Sequence, residues 1–238
     1  MKNPNHDLAS HPLLNGISPA GQSALLQHSV VHTVNPGTLL FEQGEIPNFQ
    51  IVVLRGSVHL LGRASTGPEV LIEVVESPDL VIPAAVLTQS AYLMRARAPE
   101  SCRLWMIQAA AFRDTVSREP SLALAVIGDL SGQFRRMVRQ IKNLKLRSVK
   151  ERVGCYLLAL SHRQGTPLRA ALPYEKNLIA SELGMTRESL SRTLSALQHD
   201  GITVEGDIIH INDPAQLASV CKLDPLIDGQ DVFQSLID

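Results

Sequence analysis

Between Leu122 and Leu144 the apolar residues keep a helical period: Leu122, Val126, Leu130, Phe134, Met137, Ile141 and Leu144, at steps of four, four, four, three, four and three. A stripe of this kind predicts a single helix of about six turns, a rod of about 33 Å at 1.5 Å per residue. Glu119-Pro120-Ser121 supplies its start, because proline suits the first turn of a helix. The seam is narrow and has arginines beside it, the pattern of a helix that packs on a copy of itself. The plainer alternative is a long helix lying across its own domain. In either case the rod divides the 238 residues into an earlier and a later part, each long enough for a modest domain.

The two parts have different character. Residues 30–118 read as β-rich, with short apolar runs broken by turn residues: Thr38–Phe41, Phe49–Leu54, Ser57–Leu61 and Val70–Val75, punctuated by Gly44, Gly56 and Gly62. Such spacing predicts a small antiparallel roll, followed by a short helix over Ala109–Val116. After the rod, Arg147–Lys150 reads as a hinge, and Val153, Leu157, Leu158 and Leu160 mark another helix face ending near Arg163-Gln164-Gly165.

Tyr174–Gly201 carries the sharpest signal. Ile179, Ala180 and Leu183 form an apolar face, and Gly184 follows as a residue that tolerates positive φ. Thr186 can cap a new helix whose Leu190, Leu194 and Leu197 face inward. That is a helix-turn-helix pattern. Its second helix shows Thr186, Arg187, Glu188, Ser189, Ser191 and Arg192 near its N-terminal end. Arginine can bond guanine O6 and N7 together, glutamate can accept from cytosine N4, and serine can reach bases or phosphate. Ile202–Ile211 then reads as a two-stranded hairpin around Glu205-Gly206-Asp207, a wing.

Charge supports a nucleic-acid partner for this part. The net charge of −1 hides a middle block, residues 135–199, with 13 Lys/Arg against 4 Asp/Glu, whereas residues 200–238 hold 1 Lys against 8 acids. Arg163 and Lys176 are candidate phosphate contacts. With 45% hydrophobic and 19% charged residues, wholesale disorder is excluded. No run of about 18 apolar residues is present, so no membrane span or membrane partner is expected. The first residues lack a basic stretch followed by an apolar one, so no signal peptide is expected. Cys102, Cys155 and Cys221 lie far apart, which suits a reducing compartment; the expected location is cytoplasmic. Gly-x-Ser-x-Gly, His-Glu-x-x-His and Walker motifs are missing, which disfavours an enzyme. A ligand-binding or partner-docking module without DNA contact is the rival reading.

In this order of roll, long helix and winged helix-turn-helix, the chain resembles the Crp/Fnr family of bacterial transcription regulators over residues 13–220. Pro36–Glu45 is similar to that family's first roll signature, Ile51–Val58 to its second, and Thr186–Arg192 to its recognition helix. The resemblance implies an α+β fold: an N-terminal antiparallel β-roll like that of cyclic-nucleotide-binding domains, a long dimerisation helix and a C-terminal winged helix-turn-helix. The implied segments are 1–119 for the sensor roll, 120–147 for the dimerisation helix, 148–220 for the DNA-binding domain and 221–238 for an acidic tail. It also implies a homodimer on palindromic double-stranded promoter DNA, acting with RNA polymerase. Glu188 and Arg192 would read the shared part of each half-site. Ser191 resembles the Fnr-type branch and Arg187 the cAMP-receptor branch, so TTGAT-like and TGTGA-like half-sites both stay open.

On the effector side the chain departs from the cyclic-nucleotide binders. Where they carry a Gly-Glu-Leu turn and an arginine that clamps phosphate, Asp79–Leu93 supplies Pro83, Ala84 and Ala85, then Ala91 and Tyr92. Cyclic AMP is therefore disfavoured, although a cyclic-nucleotide-responsive regulator stays an alternative. An Fnr-type iron–sulfur cluster is also disfavoured, because the N-terminal cysteine cluster is missing. The remaining resemblance is to the nitric-oxide-responsive Dnr/Nnr branch. It implies an apolar effector site lined by Leu80, Ile82, Val86, Leu93 and Trp105, with Val81 and Leu87 beside them. Haem is one candidate cofactor, with His6, His11, His28, His32, His59 and Cys102 as candidate ligands; the metal site stays unassigned.

Overall fold

The computed structural model describes residues 8, 11–63, 69–229 and 232. They form two compact units, residues 1–134 and 135–238.

In the first unit a 3-10 turn at Pro12–Leu14 leads into α1 (Pro19–Gln27), which Ser18 caps by accepting from the Gly21 N–H at 3.1 Å. Strands β1 (Ser29–Val34), β2 (Leu39–Phe41), β3 (Phe49–Arg55), β4 (Ser57–Arg63), β5 (Glu69–Glu76) and β6 (Leu80–Val81) follow. The short α2 (Pro83–Thr88) precedes β7 (Arg95–Arg97) and β8 (Cys102–Gln108). Two antiparallel four-stranded sheets result, in the orders β1-β8-β3-β6 and β2-β7-β4-β5. This is the expected roll, and each foreseen β-run lies within or against an observed strand. β1 and β8 carry no clean alternation in the sequence and emerge only by pairing from Ser29↔Ile107 to Val34↔Cys102.

α3 (Ala109–Arg118) and α4 (Pro120–Leu146) complete the rod region. The foreseen apolar stripe of α4 divides. Leu122, Val126 and Leu130 pack into the first unit's own core with Trp105, Ile107 and Phe112. Its Phe134 and Ile141 stay open in one row with Leu124, Ile127 and Val138, and the exposed Ser131 is in the same register. Its steps of three and four repeat every seven residues, the spacing of a two-helix seam. The first face thus lies across its own domain, and the second is an open apolar row.

In the second unit α5 (Val149–Arg163) opens with a capping box: the Ser148 N–H donates to Glu151 at 2.8 Å, and the Glu151 N–H to the Ser148 hydroxyl at 3.3 Å. Val153, Leu157, Leu158 and Leu160 are buried on the foreseen face. Then come β9 (Arg169–Ala171), α6 (Lys176–Glu182), α7 (Arg187–Leu197), β10 (Ile202–Glu205), β11 (Ile208–Ile211), α8 (Pro214–Cys221) and α9 (Pro225–Asp228). The wing is a three-stranded sheet, β10-β11-β9, rather than a lone hairpin. Arg-Ala-Ala at β9 has no β-branched residue, so its sequence carries no strand signal.

The C-terminal segment is not a solvated tail up to Asp228. Leu217, Cys221 and Val232 are buried in the second unit's core. Gly154 lies so close to the Cys221 sulfur that a Cβ there would overlap it.

Candidate DNA interface

α6 and α7 meet at a turn whose geometry follows from a few local residues. The Met185 N–H donates to the Ala180 carbonyl at 2.9 Å and the Gly184 N–H to the Ser181 carbonyl at 3.0 Å, so Gly184 takes φ +64°. A Cβ at Gly184 would stand 2.5 Å from Leu144 Cδ2. Leu144 can swing aside, but the left-handed φ remains, so Gly184→Ala should lower stability by about 1–2 kcal/mol in thermal or urea unfolding. Thr186 caps α7 by accepting from the Ser189 N–H at 3.2 Å. Leu190, Leu194 and Leu197 are buried beneath the helix.

The opposite face gathers the six residues expected from the sequence. Thr186, Arg187, Glu188, Ser191 and Arg192 are exposed and Ser189 is half-buried, all on the first turns of one helix. The Glu188 carboxyl is held below the usual carboxylate range by its own backbone N–H first, then by the Thr186 hydroxyl, with Arg187 and Arg192 adding attraction. It is ionised at neutral pH and presents acceptors only.

Sequence reasoning missed the other wall of this surface. Ser148, Val149 and Lys150, at the start of α5, line an open groove together with Ser189, Arg192, Thr193 and Ala196. The groove sets a helix N-terminus, which favours anions, beside an arginine. Its signal was legible as Ser148-x-x-Glu151, the capping-box spacing. Lys150 pairs with Asp200 at 2.8 Å. Lys176, expected at phosphate, instead donates to the Gly206 carbonyl at 2.8 Å and anchors the wing turn to α6, while Arg163 is exposed.

The structure brings three of the five apolar effector residues into one cluster and leaves two outside it. Leu80, Val86 and Trp105 pack against the first unit's own side chains. Ile82 lies against a second cluster, and Leu93 is 81% exposed. The haem donors do not converge either. His11 caps the Pro12–Leu14 turn, its Nδ1 accepting from the Leu13 N–H at 3.2 Å, and burial lowers its pKa. The neutral ring therefore carries its proton on Nε2, which leaves that nitrogen a donor and not a ligand. His28 stands at the end of α1 and His32 in β1, both exposed. Burial first, then Glu100, pushes the Cys102 thiol up to about 11, so it is protonated at neutral pH. His59 is buried in β4, and His6 lies outside the described residues. The described members of this set do not fit a haem.

Arg95 and Arg97, the arginines near the missing phosphate clamp, are already engaged. Arg95 pairs with Glu69 and, at 2.5 Å, with Glu42, while Arg97 lies 3.8 Å from Glu69.

Comparison with known proteins covers both units. Residues 31–119 match the cyclic nucleotide-binding domain, and residues 151–220 the Crp-like helix-turn-helix domain. The CRP-like cAMP-activated global transcriptional regulator of Mycobacterium tuberculosis is 25% identical over 216 residues, 89% of this chain and 96% of the relative. The nitrogen fixation regulation protein FixK of Azorhizobium caulinodans is 30% identical over 119 residues, 48% of each chain. A candidate cyclic nucleotide binding protein of Ruegeria pomeroyi has a structure similar to this one at a TM-score of 0.57 and 28% identity, over 94% of this chain and 100% of that one. A candidate Crp/Fnr-family transcriptional regulator of Eubacterium rectale shares the fold at a TM-score of 0.73 and 20% identity, over 89% of this chain and 98% of that one. Among the described residues no helix is long and apolar enough to cross a membrane. A roll and a reading helix matched in the same order, in company with regulators rather than enzymes, decide the matter: the chain belongs to the Crp/Fnr family of DNA-binding transcription regulators.

Proposed function

We propose that the protein works as a homodimer that reads a two-fold palindromic promoter site, each copy laying α7 in one of two successive major grooves. The observation that carries this reading is the exposed set Arg187, Glu188, Ser191 and Arg192 on one face of a capped helix. Arg192 forks onto guanine O6 and N7, and Glu188 accepts from cytosine N4. Arg187 and Ser191 set the remaining base preference of the half-site. Thr186 and Ser189, together with the start of α5, hold the DNA backbone. The open row on α4 joins the two copies, and the DNA-bound dimer acts on RNA polymerase.

In this reading residues 1–119 sense an effector, 120–147 dimerise, 148–220 read DNA and 221–238 belong with the reading unit. The effector is a small molecule without a phosphate, because Arg95 and Arg97 are neutralised by the protein's own Glu42 and Glu69. A cyclic nucleotide would have to compete with both carboxylates for these two arginines. Titration calorimetry with cAMP and cGMP should give no saturable heat. A micromolar Kd for either would overturn the effector reading and leave the DNA reading intact.

A further inference from the structure

The C-terminal segment ends in contacts that base reading does not require. Arg147 stands at the turn between α4 and α5 and is 8% exposed. Its guanidinium donates to both oxygens of Asp228, at 2.7 Å and 2.5 Å, and to Asn143 Oδ1 on α4 at 3.2 Å. The same group approaches the Lys222 carbonyl at 3.5 Å, and Asp228 also accepts from the Asp224 N–H at 2.9 Å. The Arg147 backbone continues the chain of contacts. Its carbonyl accepts from Arg152 at 2.9 Å, and the Arg152 Nε donates to the Leu183 carbonyl at 2.9 Å. Leu183 immediately precedes Gly184, against which Leu144 of α4 packs. On the other side of the segment Lys222 pairs with Glu151 of the α5 capping box at 2.8 Å.

The last turns of α4 are thus tied to the helix-turn-helix turn through one guanidinium, whose partner arrives from the end of the chain. A buried ion pair is a poor source of stability, since desolvation offsets much of the attraction. A two-pronged arginine–carboxylate contact does, however, fix direction as well as distance.

We infer that Arg147 and Asp228 are positioning residues: a clasp by which the C-terminal segment sets the angle between the dimerisation helix and α7, and so the half-site spacing that the dimer accepts. This rests on the reading of a homodimer on a palindrome. Changing the spacer by one base pair shifts a half-site by about 3.4 Å and turns it by about 35° around the DNA axis. A clasped head cannot follow that movement, whereas a head free to swivel can.

The test uses the full-length protein and an operator that it selects from random DNA. Affinities are measured for that operator, for versions with one base pair removed or added between half-sites, and for a single half-site. The wild type should lose about tenfold or more on each altered spacer. The paired variant Arg147→Met with Asp228→Leu leaves no lone buried charge. It should keep wild-type affinity for the single half-site while its loss on altered spacers shrinks to about twofold. Asp228→Asn, which preserves shape, should fall between the two and covers the case in which the paired variant does not fold. A spacer profile as steep as the wild type's, in a folded clasp variant, overturns the clasp. Equal wild-type affinity for single half-site and palindrome would instead overturn the dimer reading beneath it.

Discussion

Replacing Phe134 and Ile141 by glutamate should convert the dimer to a monomer and lower affinity for the selected operator by at least about 10³-fold. Phe134 is 65% exposed and Ile141 46%, so neither holds its own chain together. They occupy one seven-residue repeat with Leu124, Ile127 and Val138. In the dimer a glutamate at either position would put a charge into an apolar seam, opposite an identical charge from the partner. A lone chain contacts one half-site, and the second half-site's contribution is lost with the partner. The thermal midpoint of the isolated chain should change little, because the substituted side chains meet solvent. Sedimentation and operator titration on the same sample check both halves. A variant that remains dimeric would move the seam to another face of α4.

Arg192→Ala should cost about 1–3 kcal/mol at each half-site, hence about 2–6 kcal/mol for a symmetric operator, and should flatten preference at the contacted guanine. The effect is specific to base reading. The side chain is exposed, and α7 keeps its Thr186 cap and its buried leucines without it. Arg163, exposed at the end of α5, should behave differently: Arg163→Gln should weaken all duplexes similarly and reduce the salt slope by about one. Titrations on the operator and on single-base variants, each at several salt concentrations, separate the two behaviours. Unchanged base preference in Arg192→Ala would remove Arg192 from the reading set.

What was legible in the sequence is what local chemistry determines. The turn at Gly184, the cap at Thr186 and the leucines beneath α7 all lie between Gly184 and Leu197, and the opposite face of α7 exposes the side chains as read. The capping box at Ser148 is equally local, and with it one wall of the groove could have been found. The α4 stripe shows the limit of a period. Leu122, Val126 and Leu130 share the helix with a second apolar row, and only the roll's core determines which row is covered. Ser131, in the middle of the open row, masks its seven-residue repeat. Composition is ambiguous at the effector residues for a related reason. Leu80, Val86 and Trp105 are as apolar as a pocket lining, yet they fill their own core, and Leu93 turns outward. The acidic C-terminal segment was illegible because its meaning lies at a distance: Asp228 meets Arg147 across 81 residues. Counted locally it is only an acidic run; paired, it belongs to the second unit.

Selection of bound duplexes from a random pool tests most directly the proposal that a two-fold dimer reads DNA with α7. The protein should enrich an inverted repeat whose half-site centres lie about one helical turn apart, each half-site carrying the G·C pairs that Arg192 and Glu188 contact. Enrichment of an unpaired, asymmetric motif, or of no motif above the salt-sensitive background, would contradict it.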